Sequence, residues 1–305
     1  MSDAPASLSD LPGLFGLLGT FVPVGLAAGA TVYFDWRTVR SGLLPPAFGS
    51  PVPVGEPAEP ARLVLSWRPR RLASLVLLGV VFWLGIFLPL ASLGGPGPDL
   101  SNISRAQLFL LHGILLLTLF SWYLLGFAGE PRSVRSGFGR QFGLGSPAIW
   151  KDLGIGLAAG VGAWVAVLLV LIMLGVLIWA VGGEGALPRE PPALVPWIAA
   201  LPIGLRLALS VSAGFAEEIF FRGLLQPRAG IPFATVLFVM AHVGYGQPLM
   251  LVGVTLLSLV FAALVRWRQN IWSAVVAHAV FDALQLTVVI PKALEFLEGA
   301  SRMPV

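Results

Sequence analysis

The sequence predicts an all-α polytopic membrane protein with about eight transmembrane helices, because its composition and its apolar runs both suit a lipid environment. Of the 305 residues, 57% are hydrophobic and only 11% are charged, and the mean hydropathy is +0.88. A soluble globule with a polar shell carries about twice this proportion of charged residues, on the order of 25%. The bilayer is therefore the expected solvent for most of the chain.

Apolar runs of about 18 residues or more are long enough to cross the hydrocarbon core as helices. We assign spans, in chain order, to residues 11–34, 72–93, 106–127, 153–181, 203–225, 232–245, 249–265 and 271–290. The sixth run is shorter than the others, so its assignment rests partly on the topology that it completes. Gly156 and Gly160, near the start of the fourth run, have the GxxxG spacing that lets helices approach closely, and we expect a packing role for them.

Basic residues predict the topology, since Lys and Arg beside spans are retained on the cytoplasmic side. The loop at 35–71 holds six arginines, and a second basic cluster precedes the fourth span. Placing both loops in the cytoplasm puts both termini outside. We predict one membrane domain in two parts: residues 1–152, with three helices and the two basic loops, and residues 153–305, the helical core with most of the buried polar groups.

Composition also disfavours several partners and sites. The chain has no cysteine, which removes disulfides and thiolate chemistry from consideration. Its net charge of +4 comes from loops beside the spans, where topology and anionic lipid headgroups explain it without nucleic acid. The first ten residues contain no base, so the first span is expected to stay as an anchor. The predicted location is the cell membrane, multi-pass, and specifically a prokaryotic plasma membrane.

A few polar residues fall at membrane depth, where an ionisable group costs about 2.5 to 3.5 kcal/mol and usually faces a protein interior. Seven of the eight lie in the last four predicted spans. At 1.5 Å per residue, the acids and histidines of these spans lie about 10 to 17 Å from the predicted cytoplasmic helix ends, in one layer. This common depth predicts a shared cavity. The membrane-depth polar residues are His112, Arg206, Glu217, Glu218, Arg222, His242, His278 and Asp282.

Spacing within the helices predicts which of these groups meet. Glu218 and Arg222 are four residues apart, so they share a helix face and can form an ion pair. Glu217 is rotated by about 100° from its neighbour and is free to face another helix. His278 and Asp282 are also four apart, so the acid can fix the tautomer of the ring, share in metal ligation or bond to a substrate.

A buried carboxylate with two imidazoles suits hydrolysis. The Glu can take a proton from water, and His can share that water, stabilise an oxyanion or bind a metal. Nearby serines show no sign of activation, so a serine nucleophile is not predicted.

Three short patterns resemble the motifs of the CAAX protease and bacteriocin-processing family, also called CPBP or Abi intramembrane proteases. Glu217-Glu218-x-x-x-Arg222 is similar to its EExxxR motif, Phe238-x-x-x-His242 to its FxxxH motif, and His278-x-x-x-Asp282 to its third motif, HxxxN/D. Each pattern alone is weak, but their order on successive apolar helices is specific. The resemblance covers about residues 203–290, and the segment FGRQFGLG before the fourth span is faintly similar to the LGL-type segment of many members.

The resemblance implies an all-α membrane endopeptidase related to type II CAAX prenyl endopeptidases. It implies that Glu217 is the base that activates water, that His242 assists it and that His278 stabilises the oxyanion. Glu218, Arg222 and Phe238 would then support the site. Asp282 stands where the eukaryotic-type enzymes have Asn; it would be protonated, would orient His278, or would incline the site towards a metal. Glu217, His242 and His278 are also a plausible zinc set, so a divalent metal stays open as a cofactor.

Other functions remain as alternatives. A catalytically silent scaffold or immunity protein of the same fold accommodates every motif residue. A proton-coupled transporter would also bury Glu, Arg and His, although no internal repeat is visible. A b-type haem protein would use His242 and His278 as axial ligands. His112 is expected to bond between helices or to face lipid, and Arg206 to reach the outer interface. The expected substrate is a peptide or membrane-associated protein, including a bacteriocin precursor.

Overall fold

The computed structural model describes residues 25, 29, 33, 76–88, 100, 103–127, 138–186, 191–245 and 247–301. Within these ranges the chain forms helices joined by turns and contains no β-strand, which confirms the predicted all-α class. Most of the first predicted span and much of the two basic loops lie outside the described residues. The total of eight spans, the orientation of the termini and the division at residue 152 therefore stay predictions.

The longer helices of the described ranges follow the predicted spans from the second onward. Short helical turns at Arg105–Leu108, Phe138–Gln141 and Leu194–Ala199 precede three of them. The longer helices are α1 (Val76–Phe87), α2 (Leu110–Phe127), α3 (Ile149–Gly182), α4 (Ile203–Glu218), α5 (Gln226–Ala241), α6 (Pro248–Arg268) and α7 (Trp272–Leu284).

Length and composition support a membrane location. Among the described residues, three helical stretches are long and apolar enough to cross a bilayer, namely Ile149–Gly182, Pro248–Arg268 and Trp272–Leu297. The last of these begins with α7 and continues through a π-helical segment at Gln285–Val289. Shorter apolar helices occur at Val76–Phe87, Leu110–Ser121 and Ala229–Ala241.

Helix α7 packs closely against α3 on one side and α4 on the other, and glycines permit the approach. A Cβ atom added at Gly160 would lie 2.7 Å from the carbonyl oxygen of Ala277, and Gly156 makes a similar approach one turn earlier. On α4, a Cβ atom at Gly214 would lie 2.8 Å from the carbonyl oxygen of Val275. Glycine is needed where backbones come this close. The packing role predicted for Gly156 and Gly160 is confirmed.

Helices α4 and α5 depart from regular geometry in the region of the candidate site. A π-helical segment at Ile219–Leu225 follows α4 directly, and α5 is kinked at Gly230, where φ is 87°. A positive φ of this size is readily adopted only by glycine. The sixth span was predicted to run to residue 245, but α5 ends at Ala241 and a 3₁₀ turn occupies Val243–Tyr245. His242 therefore lies just beyond the end of the helix.

A buried polar network fixes the start of α7. The fully buried carboxylate of Asp152 accepts hydrogen bonds from Arg268 Nε at 2.6 Å and Asn270 Nδ2 at 2.8 Å, and also from the Ser146 hydroxyl. The hydroxyl of Ser273 donates to the Asp152 carbonyl oxygen at 3.0 Å. Because these groups come from the start of α3 and the segment before it, the end of α6, the α6–α7 turn and the first turn of α7, the network sets the position of α7 relative to α3.

The segment before α3 contributes a second anchor for the same end of α7. The backbone N–H of Ile271 donates to the Gly143 carbonyl oxygen at 3.0 Å, and the Trp272 indole N–H donates to the Leu144 carbonyl oxygen at 2.8 Å. Phe142 is fully buried beside them. This segment, predicted only as faintly similar to a family pattern, thus holds the helix that carries His278.

Candidate functional site

Glu218 and Arg222 form a buried ion pair at the junction of α4 and the π-helical segment. Arg222 Nε lies 3.2 Å from Glu218 Oε2, and both side chains are almost completely removed from solvent. The predicted pairing across four residues is therefore confirmed. A buried pair of this kind is stable only while both charges are present, since either alone would be left uncompensated.

The Arg222 guanidinium has further partners on two other helices. Its Nη2 donates to the Ser258 hydroxyl at 3.1 Å and to the Ser258 carbonyl oxygen at 3.2 Å. The guanidinium carbon lies 4.3 Å from the ring centre of Phe238, a cation–π distance. The Phe238 ring centroid is also 4.6 Å from that of His242. Phe238 thus contacts both Arg222 and His242, which fits its predicted supporting role.

His278 lies between two carboxylates. Its Nδ1 is 2.9 Å from Glu218 Oε1, and its Nε2 is 3.4 Å from Asp282 Oδ2. The ring stacks on Phe261 with a centroid distance of 5.0 Å. Because carboxylate oxygens accept hydrogen bonds, each of the two carboxylates favours a proton on the His278 ring nitrogen that it faces. The predicted proximity of His278 and Asp282 on one stripe of α7 is confirmed, and Glu218 is a partner that spacing alone did not indicate.

Glu217 faces a different set of groups from Glu218. Its Oε2 is buried, makes no hydrogen bond within the described part of the chain, and lies 3.8 Å from His242 Nε2. The His242 Nδ1 lies 2.7 Å from the Phe238 carbonyl oxygen, so it must be the nitrogen that donates. In the neutral ring, Nε2 then holds a lone pair directed towards Glu217. Two hydrogen-bond acceptors thus face each other across a gap longer than a direct hydrogen bond.

His112, predicted only as a residue that bonds between helices or faces lipid, also lies at this site. Its Nδ1 makes the expected kind of interhelical bond, to the Ser212 hydroxyl at 3.0 Å. Its Nε2 lies 3.9 Å from Glu217 Oε1, on the other oxygen from the one that faces His242. The chain has three histidines in all, and each of them lies beside one of the two adjacent glutamates.

Arg206, which was predicted to reach the outer interface, makes a hydrogen bond to another helical segment of the chain. Its Nη1 donates to the Leu286 carbonyl oxygen at 2.8 Å, within the π-helical segment that follows α7. Arg206 thus links the start of α4 to the helix that leaves α7.

The predicted metal ligands do not form one cluster. Both nitrogens of His278 face Glu218 and Asp282, whereas Glu217 faces His242 and His112. Across the residues that the structure describes, no group of three or more His, Asp or Glu side chains is arranged to hold a metal ion. The divalent metal suggested for Glu217, His242 and His278 therefore stays a prediction.

The part of the chain that carries the site is similar to a known protein family. Residues 198–284 match the family described as type II CAAX prenyl endopeptidase Rce1-like. The match spans α4 to α7 and includes every residue of the three motifs. This part of the chain is therefore similar to that family, in the region where the motifs predicted the resemblance.

One curated protein is similar in sequence to part of this chain. The uncharacterized protein YpbD of Bacillus subtilis (strain 168) is 32% identical over 77 residues, which are 25% of this chain and 41% of the relative. The chain thus spans about two fifths of the relative's length. No solved structure matches the chain.

Proposed function

We propose that the chain is an intramembrane endopeptidase in which Glu217 activates a water molecule to hydrolyse a peptide bond. The proposal rests on the 3.8 Å gap between Glu217 Oε2 and His242 Nε2. When the His242 ring is neutral both atoms accept hydrogen bonds, so a water molecule can donate one hydrogen to each. Such a water presents its lone pairs away from the two acceptors, towards a substrate carbonyl carbon. The match to a protease family supports this class of reaction.

In the first step, Glu217 takes a proton from the water as the water oxygen bonds to the carbonyl carbon. The electron pair of the C=O double bond moves to the carbonyl oxygen and creates an oxyanion. When the tetrahedral intermediate collapses, the C–N bond breaks and Glu217 returns its proton to the leaving amine nitrogen. General acid–base catalysis of this kind contributes about 10²-fold to 10⁴-fold in rate.

His278 is the proposed donor to the oxyanion. Its Nδ1 proton is held by Glu218, whose negative charge is balanced by Arg222. The Nε2 proton faces Asp282 only at 3.4 Å, a weak contact that a stronger acceptor can replace. The buried ion pair thus fixes the ring in place while one N–H stays available for the developing charge.

The substrate class is a peptide or a membrane-associated protein, and the scissile bond must reach membrane depth to meet Glu217. No step of this mechanism requires a metal, and zinc remains a separate proposal that metal analysis of the purified protein addresses. The alternative in the same fold is a scaffold or immunity protein without hydrolysis.

The test is cleavage of a peptide library and of membrane-protein substrates by protein purified in lipid. Glu217→Gln is the test variant, since it removes the base but keeps the shape of the side chain. Glu295→Gln is the matched control, because Glu295 is well exposed on the C-terminal helix, Ile290–Ser301, and pairs with Lys292 alone among the described residues. Metal content is measured on the same samples.

We expect the wild type and Glu295→Gln to cleave at equal rates, and Glu217→Gln to lose at least about 100-fold in kcat. Equal activity of the two variants would show that Glu217 is not the base. If the wild type cleaves none of the substrates, the scaffold function gains support.

A further inference from the structure

The position of His112 suggests a role that neither the motifs nor the family match assigns. It lies on α2, outside the matched residues 198–284, yet its ring is buried against Glu217. The two oxygens of Glu217 therefore face different imidazoles, Oε1 facing His112 at 3.9 Å and Oε2 facing His242 at 3.8 Å. The role of His112 rests on the proposed function of Glu217.

Hydrogen bonds to the rest of the chain determine which nitrogen of His112 carries its proton. The Ser212 hydroxyl donates its own hydrogen to the Leu209 carbonyl oxygen at 3.0 Å. Its oxygen is therefore left to accept from His112 Nδ1, at 3.0 Å. In the neutral ring, His112 Nε2 is then unprotonated and faces Glu217. When neutral, His112 and His242 thus both carry their proton on Nδ1. The Ser212 hydroxyl sets this tautomer in His112, and the Phe238 carbonyl oxygen sets it in His242.

We propose that His112 is a positioning residue of the catalytic centre, which holds Glu217 through Oε1 and thereby reserves Oε2 for the attacking water. The group that joins His112 Nε2 to Oε1 is either a proton on the ring, which creates an ion pair, or a second water molecule. In both cases Oε1 is engaged, and the carboxylate cannot rotate freely between the two rings. The base oxygen is then directed towards His242.

This role differs from a purely structural one. A residue that only packed α2 against α4 would need no polar atom directed at Glu217, and its loss would affect folding rather than turnover. A residue that orients the base affects the chemical step, because misplacement of a reacting group by about 1 Å can cost about 100-fold in rate. The expected effect is therefore on kcat, with KM unchanged, since His112 makes no contact with a substrate in this proposal.

The kinetic test compares His112→Ala with Leu117→Ala, a truncation on the same helix at a side chain that is 64% exposed. We expect kcat of His112→Ala to fall about tenfold to a hundredfold with KM within twofold of the wild type. Ser212→Ala, which leaves Nδ1 without its acceptor, is expected to show a smaller fall, and Ser212→Thr to restore activity because it keeps the hydroxyl. Equal kcat for His112→Ala and Leu117→Ala would overturn the proposal.

A second test needs no substrate. With three histidines in the chain, ring-¹⁵N-labelled protein gives three sets of ring signals, each assigned by one substitution, provided that the purification tag contains no histidine. We expect the His112 Nε2 signal to shift in Glu217→Gln and to stay unchanged in Glu295→Gln. If the His112 signal does not respond to Glu217→Gln, the contact proposed here is wrong, whatever the activity. If it responds but the wild type cleaves nothing, the proposed protease function fails and the contact stands.

Discussion

Glu217 and Glu218 are adjacent in the chain but face separate groups of partners. Glu218 lies against Arg222 and His278, whereas Glu217 lies against His112 and His242. A step of one residue rotates a side chain by about 100° around the helix, so neighbouring acids need not share an environment. One carboxylate is thus paired with a guanidinium inside the protein, and the other lies between two imidazoles.

The first prediction concerns the stability of the two matched variants Glu217→Gln and Glu218→Gln. Glu218→Gln leaves the Arg222 charge without its partner in a dry interior, and we expect it to destabilise the fold by about 3 to 5 kcal/mol. Glu217→Gln changes the contacts with His242 and His112, which are long at 3.8 and 3.9 Å. We therefore expect the loss of stability to stay within about 1 kcal/mol. Thermal unfolding of both proteins in the same detergent measures the difference. Coincident transitions would contradict this account of Glu218.

The second prediction concerns the close approach of α3 and α7. Gly160→Ala places a methyl group 2.7 Å from the Ala277 carbonyl oxygen, next to His278, and forces the helices apart. We expect a loss of about 1 to 3 kcal/mol in stability together with lower activity. Gly162→Ala is the matched control, because an added Cβ there meets nothing within 4 Å and alanine is the better helix former by about 1 kcal/mol. If Gly160→Ala and Gly162→Ala unfold at the same temperature, the close approach at Gly160 does not require glycine and the prediction is wrong.

Local helix geometry made much of the site predictable from the sequence. His278 and Asp282 are four residues apart within α7, and a regular helix brings such pairs together whatever the surrounding fold is. Glu218 and Arg222 have the same spacing and also meet, although Arg222 lies in the π-helical segment that follows α4. The separation of Glu217 from Glu218 follows from the same geometry. The motifs added their order along the chain, and the common depth of the residues indicated a shared site.

Contacts between helices were not predictable in the same way. Helix α2 is apolar on all sides, so its pattern gives no indication of the face on which His112 lies. In lipid, a surface that faces another helix can be as apolar as one that faces the acyl chains. The bonds of His278 to Glu218 and of His112 to Ser212 join residues 60 and 100 positions apart, and only the packing of the helices brings them together.

The end of the helix in the sixth predicted span could not be located from the sequence either. An apolar run continues past Ala241 to residue 245, so the run gives no sign of where the helix stops. The structure ends the helix just before His242, whose Nδ1 then reaches back to the Phe238 carbonyl oxygen at 2.7 Å. That bond, which sets the tautomer of His242, could not be derived from the FxxxH pattern alone.

The third prediction concerns the anchor of α7 at Asp152. Asp152→Asn removes the negative charge that pairs with Arg268 at 2.6 Å and places an amide N–H₂ against a group that can only donate, either Arg268 Nε or Asn270 Nδ2. A charged hydrogen bond contributes about 1.5 to 3 kcal/mol, and we expect a loss of stability in that range. Lys292→Gln, an exposed change on the C-terminal helix, is expected to leave stability unchanged. Thermal unfolding checks both, and an Asp152→Asn protein as stable as the wild type would refute the anchoring role.

The last prediction concerns Asp282, which lies 3.4 Å from His278 Nε2 and has a side chain that is 28% exposed. If its role is to orient the ring, an amide oxygen can accept the same N–H, and an amide N–H₂ can also donate to an oxyanion. We therefore expect Asp282→Asn to keep kcat within about tenfold of the wild type, whereas Asp282→Ala, which removes the acceptor, loses about 100-fold. The measurement is kcat for both variants on one substrate.

The two variants separate orientation from charge. Asp282→Asn keeps the acceptor but not the capacity to ionise, so it isolates the hydrogen bond to His278. Activity of Asp282→Asn as low as that of Asp282→Ala would mean that the negative charge itself is required, for instance to keep a proton on His278 Nε2. Because Glu218 already accepts from the other nitrogen at 2.9 Å, the ring would then need a carboxylate on each side to act as a donor.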